Sequence, residues 1–155
     1  MTDPTPAAAT PTYTGFGLRL LASIIDSLVI TPLLIALAIG LYQHSGSWLN
    51  MLMASAENPW LNYGVPAAFT LLFWLVKSAT PGKMLLGAVI VDAASLQPPQ
   101  RWQLAVRYLG YYVSLIPLGL GFIWIAFDSK KQGWHDKLAR TLVIQAASQT
   151  PSREN

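Results

Sequence analysis

One aspartate stands inside a run of apolar residues that is long enough to cross a lipid bilayer. The run extends from Leu20 to Leu41, and Asp26 is its single charged residue. At about 1.5 Å per residue, a helix of this length crosses a hydrocarbon core of about 30 Å. A carboxylate at that depth costs about 2.5–3.5 kcal/mol unless it is paired, protonated or beside a polar cavity. The run predicts a membrane helix with a polar site, and Arg19, two turns earlier on the same face, is the predicted partner of Asp26.

The composition supports a membrane protein. The mean hydropathy is +0.41, and 11% of the residues are charged, where soluble domains have about a quarter. Two further apolar runs follow, Trp60 to Val76 and Tyr108 to Phe127. The third run is interrupted by Pro and Gly at residues 117–121. Three such runs within 155 residues predict a single all-α membrane domain.

Both ends of the chain are predicted to be disordered. Residues 1–14 are rich in Pro, Thr and Ala and contain no Lys or Arg, which argues against a cleavable signal peptide. Residues 148–155 form a short polar tail. The predicted transmembrane domain is therefore residues 15–147.

Lys and Arg are distributed unevenly among the connections. The first connection, residues 43–59, has none, whereas the second carries Lys77, Lys83 and Arg101, and residues 128–140 carry four more. The positive-inside rule places the first connection outside the cell and the second in the cytoplasm. The sequence therefore predicts a multi-pass protein of the plasma membrane with a cytoplasmic N-terminus.

Two short stretches rich in β-branched residues, residues 87–92 and 141–145, are predicted strands. They can pair as a small cytoplasmic two-stranded sheet only if both lie on one side of the membrane. A return of the chain at residues 116–121 would allow this and would make the third run a broken helical hairpin, provided that protein or a cavity covers the irregular backbone. Full crossing of the third run is the alternative, because charge bias can be overridden.

Three sequence blocks follow one another at the polar edges of these runs. They are R-x-x-A-x-x-I-D from Arg19, T-P-G-K from Thr80, and H-D-K-L-A from His135. In this order they resemble the RDD family of small membrane proteins, which is named for one arginine and two aspartates. The resemblance covers about residues 14–145.

The resemblance carries over to individual residues. Arg19 and Asp26 match the family's arginine and first aspartate, and Asp136 matches the second aspartate, with Asp128 as the alternative. The family usually has Gly where this chain has Arg140, so the turn at this position is expected to differ. For function, the resemblance implies transport or cation/proton antiport, as in some members, or the role of an accessory membrane subunit, as in others.

The residues themselves allow two interpretations of the first helix. Arg19, Ser23, Asp26 and Ser27 have helical spacing and form a polar stripe. Burial favours a protonated carboxyl and a nearby cation favours the carboxylate, so the stripe could exchange a proton for Na⁺ or Li⁺ at Asp26. The structural alternative is an ion pair between Arg19 and Asp26, with Arg19 reaching the lipid headgroups.

Further candidates lie at the edges of the membrane segments. The T-P-G-K block lacks the spacing of a phosphate-binding loop and predicts a turn, with Lys83 reaching lipid phosphates or pairing with Asp136. His135 beside Asp136 is too little for a metal site. The pair would suit a proton relay, or it would fix its stretch against Arg101, Arg107 or Lys83.

Several classes of protein are disfavoured. The chain has no cysteine, no nucleophile elbow and no paired carboxylates at catalytic spacing, so we expect no enzyme, no cofactor and no metal. A net charge of +3 without a dense basic patch gives little support to nucleic-acid binding.

The expected partners are the lipid bilayer and either further copies of the chain or a larger membrane protein. Two hypotheses remain. The polar stripe favours a small transporter, which carries a small ligand or exchanges Na⁺ or Li⁺ for protons, and the alternative is an accessory or scaffold subunit.

Overall fold

The computed structural model describes residues 11–149 of the chain. Helices dominate this range, and two short strands complete it. The elements are α1 (Phe16–Tyr42), α2 (Trp48–Ala56), a π-helical turn (Trp60–Gly64), α3 (Val65–Lys77), α4 (Pro81–Leu85), β1 (Ala88–Asp92), α5 (Arg101–Leu115), α6 (Leu120–Phe127), α7 (Trp134–Ala139), β2 (Thr141–Gln145) and a 3₁₀ helix (Ala146–Gln149). The predicted disorder of residues 1–10 and 150–155 lies outside the described residues.

Helix α1 has the length and the apolar surface of a membrane-spanning helix. It has 27 residues, and its mean hydropathy over 18 residues reaches 2.3. Pro32 lies inside the helix without ending it. Two bent helix pairs pass the same test of length and composition, residues 48–77 and 101–127. The described part of the chain therefore contains one clear apolar span, and up to three if each bent pair counts as one.

The second apolar segment is preceded by a helix that the sequence analysis did not predict. Helix α2 lies in the predicted first connection and meets the following helix at an angle of 68°. The Ser47 hydroxyl accepts a hydrogen bond from the Asn50 backbone, which caps the start of α2. The Asn62 amide donates to the carbonyls of Ser55 and Ala56 at its end. Side-chain amides thus satisfy the backbone groups that this bend frees.

The third apolar segment is broken where its Pro and Gly residues predict a break. Helices α5 and α6 meet at 101°, and Leu118 and Gly119 between them both have positive φ. Residues on both flanks contact β2 or the turn before it: Gln103 donates to the carbonyl of Arg140 at 3.1 Å, and Gln132 donates to that of Thr141 at 2.9 Å. The chain thus leaves the sheet along α5 and is again beside it after α6, as the hairpin alternative requires.

The two predicted strands pair as an antiparallel sheet in which Ile90 is opposite Val143. One face of the sheet packs against Trp74 and Leu104, and β2 is buried over most of its length. Alternating side chains of both strands fill the two faces, as the pleat of a strand requires. This confirms the predicted two-stranded element.

The end of the predicted leader lies against this sheet. Tyr13 forms a β-bridge with Ile144, and the Thr14 backbone donates to the carbonyl of Val143 at 2.9 Å. Thr14 is fully buried. The start of α1 is therefore held beside β2 rather than left as free chain.

Helix α4 packs against α1 at very short range through Gly82. A Cβ atom at this position would lie against the carbonyl oxygen of Ala22, well inside contact distance. We expect Gly82→Ala to lower the free energy of unfolding by about 2–3 kcal/mol, because the clash is with backbone. Gly40→Ala is the control: no atom lies within 4 Å of its added Cβ, and Ala stabilises a helix by about 0.5–1 kcal/mol relative to Gly. Equilibrium unfolding in mixed micelles measures both, and equal effects would contradict the close packing.

Candidate functional site

The most buried charged group near the sheet is Asp136, which has no exposed surface. Its Oδ2 atom lies 2.5 Å from Nη1 of Arg19 in α1, and its Oδ1 atom pairs with Nη1 of Arg107 in α5. The backbone N–H of Gly133 also donates to Oδ2, at 3.0 Å. One carboxylate therefore joins α1, α5 and α7. We call these three side chains the Arg19–Asp136–Arg107 cluster.

Further hydrogen bonds from the two guanidinium groups extend the cluster. Arg19 Nε donates to the carbonyl of Thr14 at 2.9 Å, and Nη2 donates to that of Lys131 at 2.6 Å. Arg107 Nη1 donates to the Thr141 hydroxyl at 2.8 Å. The start of α1, the loop before α7 and the start of β2 are thereby fixed to one another.

The electrostatics of the cluster keep Asp136 ionised. Burial alone would raise the pKa of the Asp136 carboxyl, but the positive charges of Arg107 and Arg19 outweigh burial and hold that pKa well below its usual range. The Gly133 N–H acts in the same direction. Asp136 is therefore a fixed negative charge at neutral pH, which suits a structural counter-ion better than a proton carrier.

The predicted ion pair between Arg19 and Asp26 is wrong. Seven residues along a helix correspond to about 10.5 Å of axial rise, and helical side chains lean towards the N-terminus, so the Arg19 side chain points away from Asp26. Arg19 pairs instead with Asp136, which is 117 residues away in the chain. Of the predicted polar site, Arg19 and Asp136 lie together and Asp26 lies apart.

The Asp26 carboxylate accepts hydrogen bonds from the T-P-G-K block. Its Oδ2 atom accepts a hydrogen bond from the Thr80 hydroxyl at 2.5 Å, and Oδ1 accepts one from the Gly82 N–H at 2.7 Å. This carboxylate of α1 thus caps the first turn of α4, because the side chain of the cap residue itself, Thr80, makes no hydrogen bond to the helix backbone. The block forms a short helix beginning at Pro81 rather than only a turn, because Pro81 occupies the first helical position, where no N–H is needed.

The other two residues of the polar stripe lie outside this site. Ser23 and Ser27 are exposed on α1. The Ser23 hydroxyl donates to the carbonyl of Arg19 at 3.0 Å, and the Ser27 hydroxyl donates to that of Ser23 at 2.9 Å. Each hydroxyl is satisfied by its own helix, which lets a serine face lipid or another helix without a polar partner.

Lys83 is buried rather than extended along the surface, and its predicted contact with lipid phosphates stays a prediction. It is 7% exposed, and its Nζ atom lies 5.7 Å from the centre of the Trp74 ring. The predicted pairing with Asp136 is not found within residues 11–149. The guanidinium of Arg107 lies 5.3 Å from the same ring. Burial lowers the pKa of the Lys83 ammonium, and Tyr111 acts against that shift.

His135 packs beside the cluster as a neutral side chain. Its ring meets those of Tyr111 and Phe122 at 4.5 and 5.0 Å, and its Nδ1 atom lies 3.2 Å from the Ser114 hydroxyl. Burial lowers the pKa of His135 to about 3, although Asp136 opposes this shift. At neutral pH a group with this pKa holds no proton to pass on, so the geometry favours the structural alternative over a proton relay.

The sequence analysis missed one polar residue that links the sheet to α5. The Gln103 amide donates to the Asp92 carboxylate at 2.7 Å and to the carbonyl of Ala139 at 3.1 Å. The Gln100–Gln103 spacing, a capping pair at the start of α5, is the signal that could have revealed it.

Arg140 occupies a backbone conformation that favours glycine. It ends α7 with φ of +53°, in the left-handed region. This explains why glycine suits the position in the resembling family. A non-glycine residue there stores about 1–2 kcal/mol of strain.

The depressed pKa of His135 predicts a pH dependence of stability. The folded state binds this proton only near pH 3, whereas an unfolded histidine binds it near pH 6.5, so stability is lost as the pH falls below 6.5. Between pH 6.5 and 5 we expect the loss to approach about 1.4 kcal/mol per pH unit. His135→Asn should flatten this slope, and His44→Asn, at an exposed histidine, should not. Unfolding midpoints at several pH values test this, and equal slopes in both variants would refute it.

Comparison with known proteins gives one family and two relatives. The model of the RDD family matches residues 13–140. An uncharacterized protein of Rickettsia prowazekii is 40% identical over 85 residues, which are 55% of this chain and 47% of the relative. The proline-rich antigen of Mycobacterium leprae is 29% identical over 97 residues, 63% of this chain and 36% of the relative. The chain thus spans half or less of the length of these relatives, and no solved structure matches it.

Proposed function

Because this chain belongs to the RDD family of small membrane proteins, we propose that it is a multi-pass plasma-membrane protein that acts as an accessory or scaffold subunit of a larger membrane complex. The observation that carries this proposal is that both carboxylates of the candidate ion site are engaged by the protein itself. Asp136 forms ion pairs with two guanidinium groups and accepts a hydrogen bond from a backbone N–H, and Asp26 caps α4. Carboxylates used in this way hold elements together.

The arrangement of the segment ends supports the proposed topology. Tyr13, just before α1, bridges to β2, and the carbonyl of Ser78, just after α3, accepts from Ile90 in β1 at 2.8 Å. The third apolar segment also begins and ends beside the sheet. In a membrane, α1 would cross outwards, residues 60–77 would return, and α5 and α6 would form a re-entrant hairpin. The basic connections then share the cytoplasmic side with the N-terminus, as the positive-inside rule requires.

The surface of α1 supports a role in assembly. Only 6% of its most apolar window is buried within the chain. Most side chains in this 18-residue window are therefore at least partly open to lipid or to another helix. The exposed Ser23 and Ser27, four residues apart, are the kind of small side chains at which membrane helices approach closely.

Cation/proton exchange is the second candidate, and one observation favours it. Asp26 is half-buried rather than sealed, and Lys83 lies within electrostatic range of it. A carboxylate with partial access could bind Na⁺ or Li⁺ in competition with a proton. This hypothesis requires that Asp26 release Thr80 or Gly82 during each cycle. The expectations of no enzymatic activity, no cofactor and no nucleic-acid partner stay predictions.

One variant separates the two candidates. For the scaffold function we expect Asp26→Asn to lower stability by about 1–2 kcal/mol through the weakened cap on α4. Na⁺- or Li⁺-driven proton flux in everted vesicles should equal that of vesicles lacking the protein, with or without the substitution. Glu57→Gln, which neutralises an exposed carboxylate at the end of α2, is the control and should change neither quantity.

Purification in a mild detergent completes the test. The scaffold proposal predicts a stoichiometric membrane partner. A homogeneous homo-oligomer whose flux is lost in Asp26→Asn and kept in Glu57→Gln would replace the scaffold proposal with exchange.

A further inference from the structure

Two buried nitrogen donors without an acceptor, on Trp74 and Arg107, lie near the ammonium group of Lys83. Trp74 Nε1 and Arg107 Nε have no hydrogen-bond partner, and Lys83 Nζ has neither a hydrogen bond nor an ion pair within residues 11–149. Trp74 and Arg107 are 1% exposed and Lys83 is 7% exposed. Buried donors of this kind are rarely left unsatisfied in folded proteins, which makes this group of residues unusual.

The three side chains come from different elements and meet at one ring. Lys83 in α4 and Arg107 in α5 have their cationic groups within 6 Å of the Trp74 indole in α3. Tyr111, one turn after Arg107, packs edge-on against the same indole with ring centres 5.6 Å apart. Lys83 is the member with residual surface, so a ligand would enter on its side.

The local charges do not balance. Lys83 is surrounded by Arg107 and Tyr111 from α5 and by Arg19 and Asp26 from α1. Asp136 is the counter-ion of both arginines. Three cations thus face two carboxylates, and His135 adds no charge at neutral pH. One positive charge is in excess when Lys83 is protonated, and an unpaired charge is strongly unfavourable in a buried site.

We propose that Lys83, Arg107 and Trp74 form a binding site for the phosphate group of a phosphodiester, supplied by an anionic lipid headgroup. A phosphodiester carries one negative charge, which matches the excess positive charge. Its oxygens accept hydrogen bonds, which these N–H groups lack, and charge-assisted bonds to phosphate are among the strong ones. The inference rests on the membrane placement proposed above.

The surroundings of Lys83 favour a lipid as the source of the phosphate. Met84 and Leu85, which follow it, are 45% and 73% exposed, and Leu75 and Val76 near the end of α3 are 53% and 66% exposed. These exposed apolar side chains follow Lys83 in α4 and follow Trp74 in α3, at the predicted edge of the membrane. A phosphate that enters between them would belong to a molecule whose tail contacts apolar surface. Free inorganic phosphate carries the same oxygen acceptors, and it is the second possible ligand that the experiment tests.

The test uses the full chain in nanodiscs of phosphatidylcholine, with or without 20 mol% of phosphatidylglycerol. We expect phosphatidylglycerol to raise the unfolding midpoint and to remain bound as one molecule per chain in native mass spectrometry. Lys83→Met, which keeps the length of the side chain, should weaken this binding at least about tenfold, the effect of one charge-assisted hydrogen bond. Lys77→Met, at an exposed lysine at the end of α3, is the matched control and should keep the binding.

The change in the unfolding midpoint without phosphatidylglycerol shows whether Lys83 belongs to a ligand site or has only a structural role. In phosphatidylcholine alone, Lys83→Met should raise the midpoint, because it removes a buried ammonium that has no counter-ion. A lysine whose role is to stabilise the Trp74 ring would make the same variant less stable. Trp74→Phe, which keeps an aromatic ring but removes the N–H, should weaken phosphatidylglycerol binding about fivefold.

Each outcome decides between the possibilities. Equal loss of binding in Lys83→Met and Lys77→Met would show diffuse surface attraction and overturn the site. Binding of inorganic phosphate in pure phosphatidylcholine, without any preference for phosphatidylglycerol, would overturn the lipid as its ligand and leave a free-anion site. If the chain failed to enter nanodiscs, the membrane proposal would fall. Titration of the detergent-solubilised protein with inorganic phosphate, with Lys83→Met as the comparison, would then decide the site on its own.

Discussion

The structure depends on one buried carboxylate that is shared by two guanidinium groups. Asp136 has no exposed surface, and its two oxygen atoms pair with Arg19 and Arg107 from helices that are distant in sequence. Removing such groups from water is costly, and the cost is offset only when every charge is well paired. Losing the carboxylate would leave two guanidinium groups facing each other in the interior. The position of α1 relative to the sheet therefore follows from this pairing.

Close contacts between helix backbones position the Asp26 and Asp136 carboxylates. Gly82 lets α4 lie directly on α1, and Asp26 caps α4 from that distance. Gly110 plays a similar part for α7, because a Cβ atom there would lie 2.8 Å from the Cα of His135. Asp26 and Asp136 thus tie the apolar helices to the polar side of the molecule. Because α4 packs so closely on α1, Lys83 in α4 is buried beside the two-stranded sheet.

Local patterns in the sequence predicted the local structure well. The β-branched residues of β1 and β2 gave the strands to within a residue, and the Pro and Gly residues at 117–121 marked the bend of the third segment. Helix α2 was missed because its exposed apolar residues, between polar ones, resemble a loop at a membrane interface.

The partners of the charged residues could not be read from spacing. Helical periodicity places Arg19 and Asp26 on one side of α1, but it says nothing about Asp136, which lies in α7, a helix packed against α5. The burial of Lys83 has the same origin, since it depends on how α3, α4 and α5 meet around Trp74. Long-range polar contacts of this kind follow from tertiary packing, whereas strands, helices and breaks follow from neighbouring residues.

The most direct test of this account is the free energy of unfolding of Asp136→Asn, measured in mixed micelles beside that of a triple variant, Arg19→Met, Arg107→Met and Asp136→Leu. The account predicts a loss of about 3–5 kcal/mol for the single substitution, because two buried guanidinium groups lose their counter-ion, and recovery of most of that loss in the triple variant. A single variant within about 1 kcal/mol of the unsubstituted protein would show that the carboxylate does not hold these helices together, and the account would be wrong.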